Sequence, residues 1–224
     1  MALPLIGLIG RKRSGKDTVA DLLIEHHGYN KAAFADPLRD LLAAINPVVA
    51  SFDNRINDGR GPVHFNDATE ALGYEVAKDS LREYRRLLEV TGTEGVRETL
   101  GVKYRLRELL DNDVWPAIAE LRIEGAIDYV TVNPMWQIDG GKFNRVHWRE
   151  SLAFTDVRFA NEAELITRHG GILVRVARPS LPANPNPHVS ETALDDYEED
   201  YTLVNDGSLA DLRVAVDSLV AKLR

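Results

Sequence analysis

An apolar run without alternation, residues 3–9, passes through Gly10-Arg11-Lys12-Arg13-Ser14-Gly15-Lys16-Asp17-Thr18 into a stretch carrying Val19, Leu22, Leu23 and His26 at helical spacing. No other feature restricts the fold as strongly. A continuous apolar run of this length reads as a parallel strand covered on both faces. Gly28 stops the helix that follows, residues 16–27. Glycines in the connecting turn let backbone N–H groups face inward around an anion, and the helix opening near Lys16 adds its positive dipole end. The turn fits G-x-x-x-x-G-K, in the strand–turn–helix setting that gives this phosphate-loop pattern its meaning. Lys16 can reach β- and γ-phosphates and offset charge as the bridging bond breaks. Residues Gly10, Lys12, Arg13, Ser14, Gly15, Lys16, Asp17 and Thr18 are therefore candidate ligands of ATP, with magnesium as its companion ion.

Asp17 departs from the pattern. A Ser or Thr is usual there, giving its hydroxyl to magnesium, and Thr18 keeps a hydroxyl one position later. Three roles stay open for the Asp17 carboxylate: holding magnesium through water, orienting Lys16, or favouring the helix N-terminus electrostatically.

Further strands are expected at residues 29–34, 152–155, 172–177 and 201–204, and helices at 36–45, 161–169 and 208–223. Asp36 serves as N-cap of the first of these helices, with Pro37 in its first turn. Residues 46–66 read as loop, and 67–124 as a helical region broken near Gly92 and Gly101. Asp139-Gly140-Gly141-Lys142 marks a hairpin within 128–150, with Trp136 and Trp148 beside it. This order predicts an α/β fold of three layers: a five-stranded parallel sheet with helices on both faces, and ligands at the carboxyl ends of its strands. The division expected is one domain, 1–224, with an inserted helical region at 46–124 and an inserted hairpin at 128–150.

A chain of 224 residues can bury a core of its own. Its formal net charge of −8 argues against nucleic acid or an anionic membrane as partner. The acidic run Asp195-Asp196-Tyr197-Glu198-Glu199-Asp200 reads as a solvated loop. No stretch has the ~20 apolar residues of a spanning helix, and the absence of cysteine fits a reducing cytoplasm.

Several segments outside the loop occur together. They are Phe34-Ala35-Asp36-Pro37-Leu38-Arg39; Arg85-Arg86-Leu87-Leu88 leading to Gly92-Thr93-Glu94, with Trp115 beyond; Thr155-Asp156-Val157-Arg158-Phe159-Ala160-Asn161-Glu162-Ala163-Glu164; His188-Val189-Ser190-Glu191; and Val204-Asn205-Asp206-Gly207-Ser208-Leu209. In these segments and in the loop the chain resembles the deoxynucleoside-monophosphate kinases of bacteriophages, of the P-loop kinase superfamily. The resemblance implies a nucleoside-monophosphate-kinase-like fold and transfer of the ATP γ-phosphate to a deoxynucleoside monophosphate, with dGMP and dTMP the first acceptors to consider. It implies the host cytoplasm as location if the gene is a phage's, and allows a homodimer.

The resemblance also assigns roles. Asp156 would hold magnesium or water, together with Asp17, and Arg158 would grip a phosphate bidentately. One of Arg85 and Arg86 would contact the acceptor phosphate, with Arg86 the choice, since adjacent helical residues point about 100° apart. Lys16, Asp17, Arg86 and Arg158 would form the catalytic group. Asp36, Arg39, Gly92, Thr93, His188 and Glu191 would complete the acceptor side, and Arg178 would touch adenine or a phosphate. Trp115 is either a stacking face for the base or a core residue, and Glu162 either an acceptor ligand or a first-turn helix acid. Animal-type phosphomevalonate kinases resemble the chain in Gly-Lys-Asp, Asp-x-Arg and the late Asn-x-Gly, and a nucleotide-binding module without turnover is a third reading.

Overall fold

The computed structural model describes residues 3–109, 114–124, 151–182 and 189–224. In chain order the strands are β1 (Ile6–Ile9), β2 (Asn30–Ala32), β3 (Val48–Ala50), β4 (Val63–His64), β5 (Leu152–Phe154), β6 (Ile172–Ala177) and β7 (Tyr201–Val204). The helices are α1 (Lys16–His27), α2 (Asp36–Ile45), α3 (Asn54–Asn57), α4 (Phe65–Leu72), α5 (Tyr74–Ser80), α6 (Arg82–Val90), α7 (Leu106–Leu109), α8 (Val114–Ile123), α9 (Ala160–Arg168), α10 (Val189–Thr192) and α11 (Leu209–Lys222), with a π-helical segment at Thr91–Lys103. They form two compact units, Met1–Phe34 with Ile118–Arg224, and Ala35–Ala117.

In the first unit five strands pair in the order β2-β5-β1-β6-β7, all parallel. The phosphate-loop strand β1 is central, with Ile6 opposite both Ala153 and Ile172. All four of its residues are buried, which is why the run lacks alternation. Ile6 and Leu8 turn towards α1 and α11, joining Val19, Leu23, Val174, Val176, Leu212 and Val216 in one buried cluster. Gly7 turns towards α9. A Cβ there would stand 3.0–3.2 Å from the side chains of Leu173, Ile166 and Val157, so this residue sets how closely α9 packs. Each fully buried aliphatic side chain contributes about 1.5–3 kcal/mol. The loop between β1 and α1 is thus slung between two elements that cannot shift without exposing core.

In the second unit β3 and β4 pair antiparallel. The Phe65 ring stacks on Tyr84 at 4.2 Å between centroids, and the Tyr84 hydroxyl meets Thr69 Oγ1 at 2.7 Å.

Several expectations need correction. The segment 46–66 is not all loop, since it holds β3, α3 and β4. No break occurs at Gly92 or Gly101: helix runs from Arg82 through Lys103, and Gly92 is small because a Cβ would lie 2.9 Å from Leu38 Cδ2. Asp36 is the first helical residue of α2 rather than its cap, a position taken by Ala35. Its carboxylate instead accepts from Arg39 Nη1 at 2.9 Å. The acidic run is anchored, not merely solvated. Asp195 pairs with Arg11, Glu199 with Arg175, and Asp200 accepts from Leu173 N at 2.8 Å. The hairpin expected at 128–150 lies outside the described residues.

Candidate active site

The connection from β1 to α1 holds three backbone positions in left-handed space: Gly10 (φ +134°), Arg13 (φ +66°) and Gly15 (φ +103°). A Cβ at Gly10 would stand 2.5 Å from the Val176 carbonyl oxygen, and one at Gly15 would meet the Asn205 amide. The glycines are therefore required by close approach as well as by φ. Ser14, 1% exposed, has its hydroxyl oxygen without a partner among the described residues. Glycines that let backbone line the loop, and a buried hydroxyl with hydrogen-bonding capacity to spare, suit the oxygens of a polyphosphate. Lys16 Nζ donates to the carbonyls of Gly10 (2.6 Å) and Arg11 (3.0 Å), so the ammonium spans the mouth of its own loop.

Burial lowers the Lys16 pKa to about 8 and the Arg158 guanidinium adds to the shift, while Asp17, Glu191 and Asp156 oppose it. Loop, β5 terminus and α10 thus bring together four charged groups that act on one ammonium. Asp156 Oδ1 accepts from Phe34 N at 2.8 Å, which fixes its carboxylate beside the end of β2. Asp17 Oδ1 accepts from Lys31 Nζ at 2.8 Å, an exposed pair. Asp17, Glu191 and Asp156 are all carboxylates acting on Lys16, and carboxylate oxygen is the donor type that a hard cation takes. Glu162 is 3% exposed, and its Oε2 accepts from Arg158 N (2.7 Å) and Phe159 N (3.2 Å). This is the helix-acid alternative: the carboxylate is committed to the start of α9 and sets the backbone that carries Arg158.

A cavity of about 630 Å³ runs from Gly10–Ser14 along the end of β6 to Arg178, Pro179, Leu181, Glu191 and Asp195. Arg178 therefore shares the cavity of the phosphate loop, and so does Glu191, which the sequence put on the acceptor side. Arg175 braces the opposite wall, with Nη2 donating to the carbonyls of Leu194 (2.9 Å) and Tyr197 (2.8 Å). A second group of potential ligands, Glu120, Glu124 and His169, has its atoms within 4.8 Å of one another. Arg168 Nη2 already compensates Glu120 at 2.7 Å.

In the second unit Arg39 lies over the Tyr74 ring at 4.2 Å, with Lys78 at 5.3 Å from the same ring. Arg85 donates from Nε to the Lys78 carbonyl at 3.2 Å and is ion-paired with Asp79. Arg86 is exposed and forks onto Glu83 at 2.8 and 2.7 Å. Thr93 is exposed. Trp115 is only 6% exposed. His188 lies outside the described residues.

The family model described as deoxynucleotide monophosphate kinase matches residues 4–75, which take in the phosphate loop, β2 and α2. The deoxynucleotide monophosphate kinase of Escherichia phage RB69 is 26% identical over 97% of this chain and 100% of its own. The chain is similar to the deoxynucleotide monophosphate kinases. The enzyme of that name from Enterobacteria phage T4 is 23% identical over 94% of this chain and 95% of its own. A protein of Acanthamoeba polyphaga mimivirus assigned to the same kinases is 28% identical over 96% and 95%. Sequence reasoning left three residues of this kinase-like site without a role: Lys31, Arg175 and Asn205. A signal existed only for Asn205, inside the noted segment Val204 to Leu209.

Proposed function

We propose that this protein transfers the γ-phosphate of ATP to a deoxynucleoside monophosphate, releasing ADP and the deoxynucleoside diphosphate. The observation that carries the reading is Lys16, seated in a glycine-built loop with Asp156, Arg158, Asp17 and Glu191 close enough to shift its proton affinity. The likeness to the phage kinases across nearly the whole chain supports the acceptor class.

In this reading the loop N–H groups and the Ser14 hydroxyl bind the β- and γ-phosphates, and Lys16 leaves its carbonyl partners to follow the charge that develops on the bridging oxygen. Asp156 and Asp17 hold magnesium, which neutralises phosphate oxygens when bound. Arg158 grips a phosphate oxygen pair, and Arg178 lies along the adenosine side of the cavity. The acceptor phosphate is assigned to Arg39 with one of Arg85 and Arg86, which are ion-paired with Asp79 and Glu83 respectively. Asp36 orients Arg39, and Gly92 allows the close packing on Leu38 beneath it. Phosphoryl transfer needs little covalent help from the protein, so positioning and charge are enough. No described helix is long and apolar enough to cross a membrane, and a cytoplasmic location, the host's for a phage gene, suits the substrates.

An ADP-release assay over a panel of deoxynucleoside monophosphates, dGMP and dTMP first, with phosphomevalonate as comparison, tests the reading. ADP formation with a deoxynucleotide, lost by several orders of magnitude in a folded Lys16→Ala variant, is expected. No ADP with any nucleotide acceptor overturns it. Arg86→Ala should cost more turnover than Arg85→Ala, and the reverse order would move the acceptor clamp to Arg85.

A further inference from the structure

Asn205 stands just past the end of β7, in the turn that leads to α11. Its backbone N–H donates to the Ala177 carbonyl at 2.7 Å, which locks its position against the end of β6. Its side-chain Nδ2 donates to the Ser14 carbonyl at 2.8 Å, a contact between residues 191 positions apart. The same amide lies against Gly15, where any Cβ would collide with it. We propose that Asn205 is a positioning residue for phosphate binding: it holds the Ser14–Gly15 peptide in the one orientation that leaves the Gly15 N–H available to the nucleotide's phosphates.

A trans peptide is planar, so its carbonyl and its N–H point in opposite directions. Drawing the Ser14 carbonyl onto Asn205 turns the Gly15 N–H away from Asn205. If the peptide flipped, the carbonyl would take the place of the N–H and present negative charge to a phosphate. A flip rotates chiefly about ψ of Ser14 and φ of Gly15, and glycine is the residue that resists such rotation least. Gly15 cannot be replaced by a stiffer residue, since its φ is +103° and Asn205 occupies the space. The loop therefore combines a soft hinge with a tether from outside. Asn205 touches the Ser14 carbonyl and not the reacting atoms, so its effect reaches the phosphates through the loop.

The inference rests on the ATP-binding reading above, and the full-length protein tests both. ATP affinity is measured by calorimetry, and KM for ATP and for the best deoxynucleotide acceptor by ADP release, in wild type, Asn205→Ala and Asn205→Asp. The alanine removes the donor. The aspartate keeps the shape but sets an acceptor oxygen against the Ser14 carbonyl. Both variants should bind ATP roughly 10- to 30-fold more weakly or worse, the size of one lost hydrogen bond at a charged ligand. Acceptor KM should stay within about twofold of wild type. ATP affinity within about twofold of wild type in Asn205→Ala, or a loss confined to Asn205→Asp, overturns the tether, the second result marking plain charge repulsion. Equal rises in both KM values also overturn it, since they would make Asn205 a general packing residue. Wild-type protein that binds no ATP refutes the proposed function itself, a result distinguishable from the other three.

Discussion

Replacing Glu162 by alanine should destabilise the protein by an amount the structure allows to be worked out. The carboxylate is 3% exposed and accepts two backbone N–H groups, from Arg158 at 2.7 Å and Phe159 at 3.2 Å. Hydrogen bonds to a charged group are worth about 1.5–3 kcal/mol each, and loss of a helix cap costs about 0.5–2 kcal/mol. These figures overlap, because the bonds are the cap, so they do not add. About 2–4 kcal/mol is the expected loss for Glu162→Ala. For a protein of this size that corresponds to a fall of roughly 5–15 °C in Tm. Glu162→Gln keeps an acceptor of nearly the same shape and should lose about half as much. Urea unfolding of the three proteins, followed by circular dichroism at constant m, provides the measurement. Turnover should fall further than stability requires, because the Arg158 backbone is set by the same carboxylate. An alanine variant within about 0.5 kcal/mol of wild type, the scatter of an ordinary surface change, would refute the capping role.

Other outcomes follow from the charges around the loop. Burial holds the Lys16 pKa down at about 8, below its ordinary 10.5. The unfolded chain therefore binds more protons between these values, and this residue's contribution to stability rises as pH climbs through about 8 to 10.5, the reverse of a salt-bridged lysine. Triphosphate charge should restore the ammonium, so ATP binding near pH 8.5 should take up protons, with little uptake near pH 6.5. Calorimetry in buffers of different ionisation enthalpy detects this, and equal uptake at both pH values would place the shift elsewhere. Asp17→Asn should leave stability nearly unchanged, since an exposed pair such as Asp17 with Lys31 is worth about 0–1 kcal/mol. If the carboxylate serves magnesium, that variant needs several-fold more of the ion for half-maximal turnover. An unchanged requirement would leave only the helix-end role.

What the sequence made legible was what local chemistry decides. The apolar run, the glycine loop and the helix closed by Gly28 are each specified within a few residues, and the central strands β1 and β5 are buried at every position. The roles of Trp115 and Glu162 could not be read the same way. A tryptophan in a helix and an acid in a first turn have two meanings each, and only burial separates them. The acidic run beginning at Asp195 resembles a solvated segment until Arg11 and Arg175, far off in sequence, are seen beside it. Arg85 and Arg86 are adjacent in the chain, yet one reaches the Lys78 carbonyl and the other turns to Glu83. Helical phase separates them, and phase alone does not reveal which side faces a partner.

The central position of β1 has a further consequence, for biosynthesis. This strand is made well before both of its neighbours: Ile6 pairs with Ala153 and with Ile172. At about 5–20 residues per second of synthesis, Ile6–Ile9 waits roughly 10–30 s before either flanking strand exists. During that interval a four-residue apolar edge stands open on both sides, ready to pair with any other strand. Such an arrangement folds slowly and is exposed to aggregation. Expression at lower temperature or with abundant chaperone should therefore raise the soluble yield far more than substitutions at the surface of the finished protein.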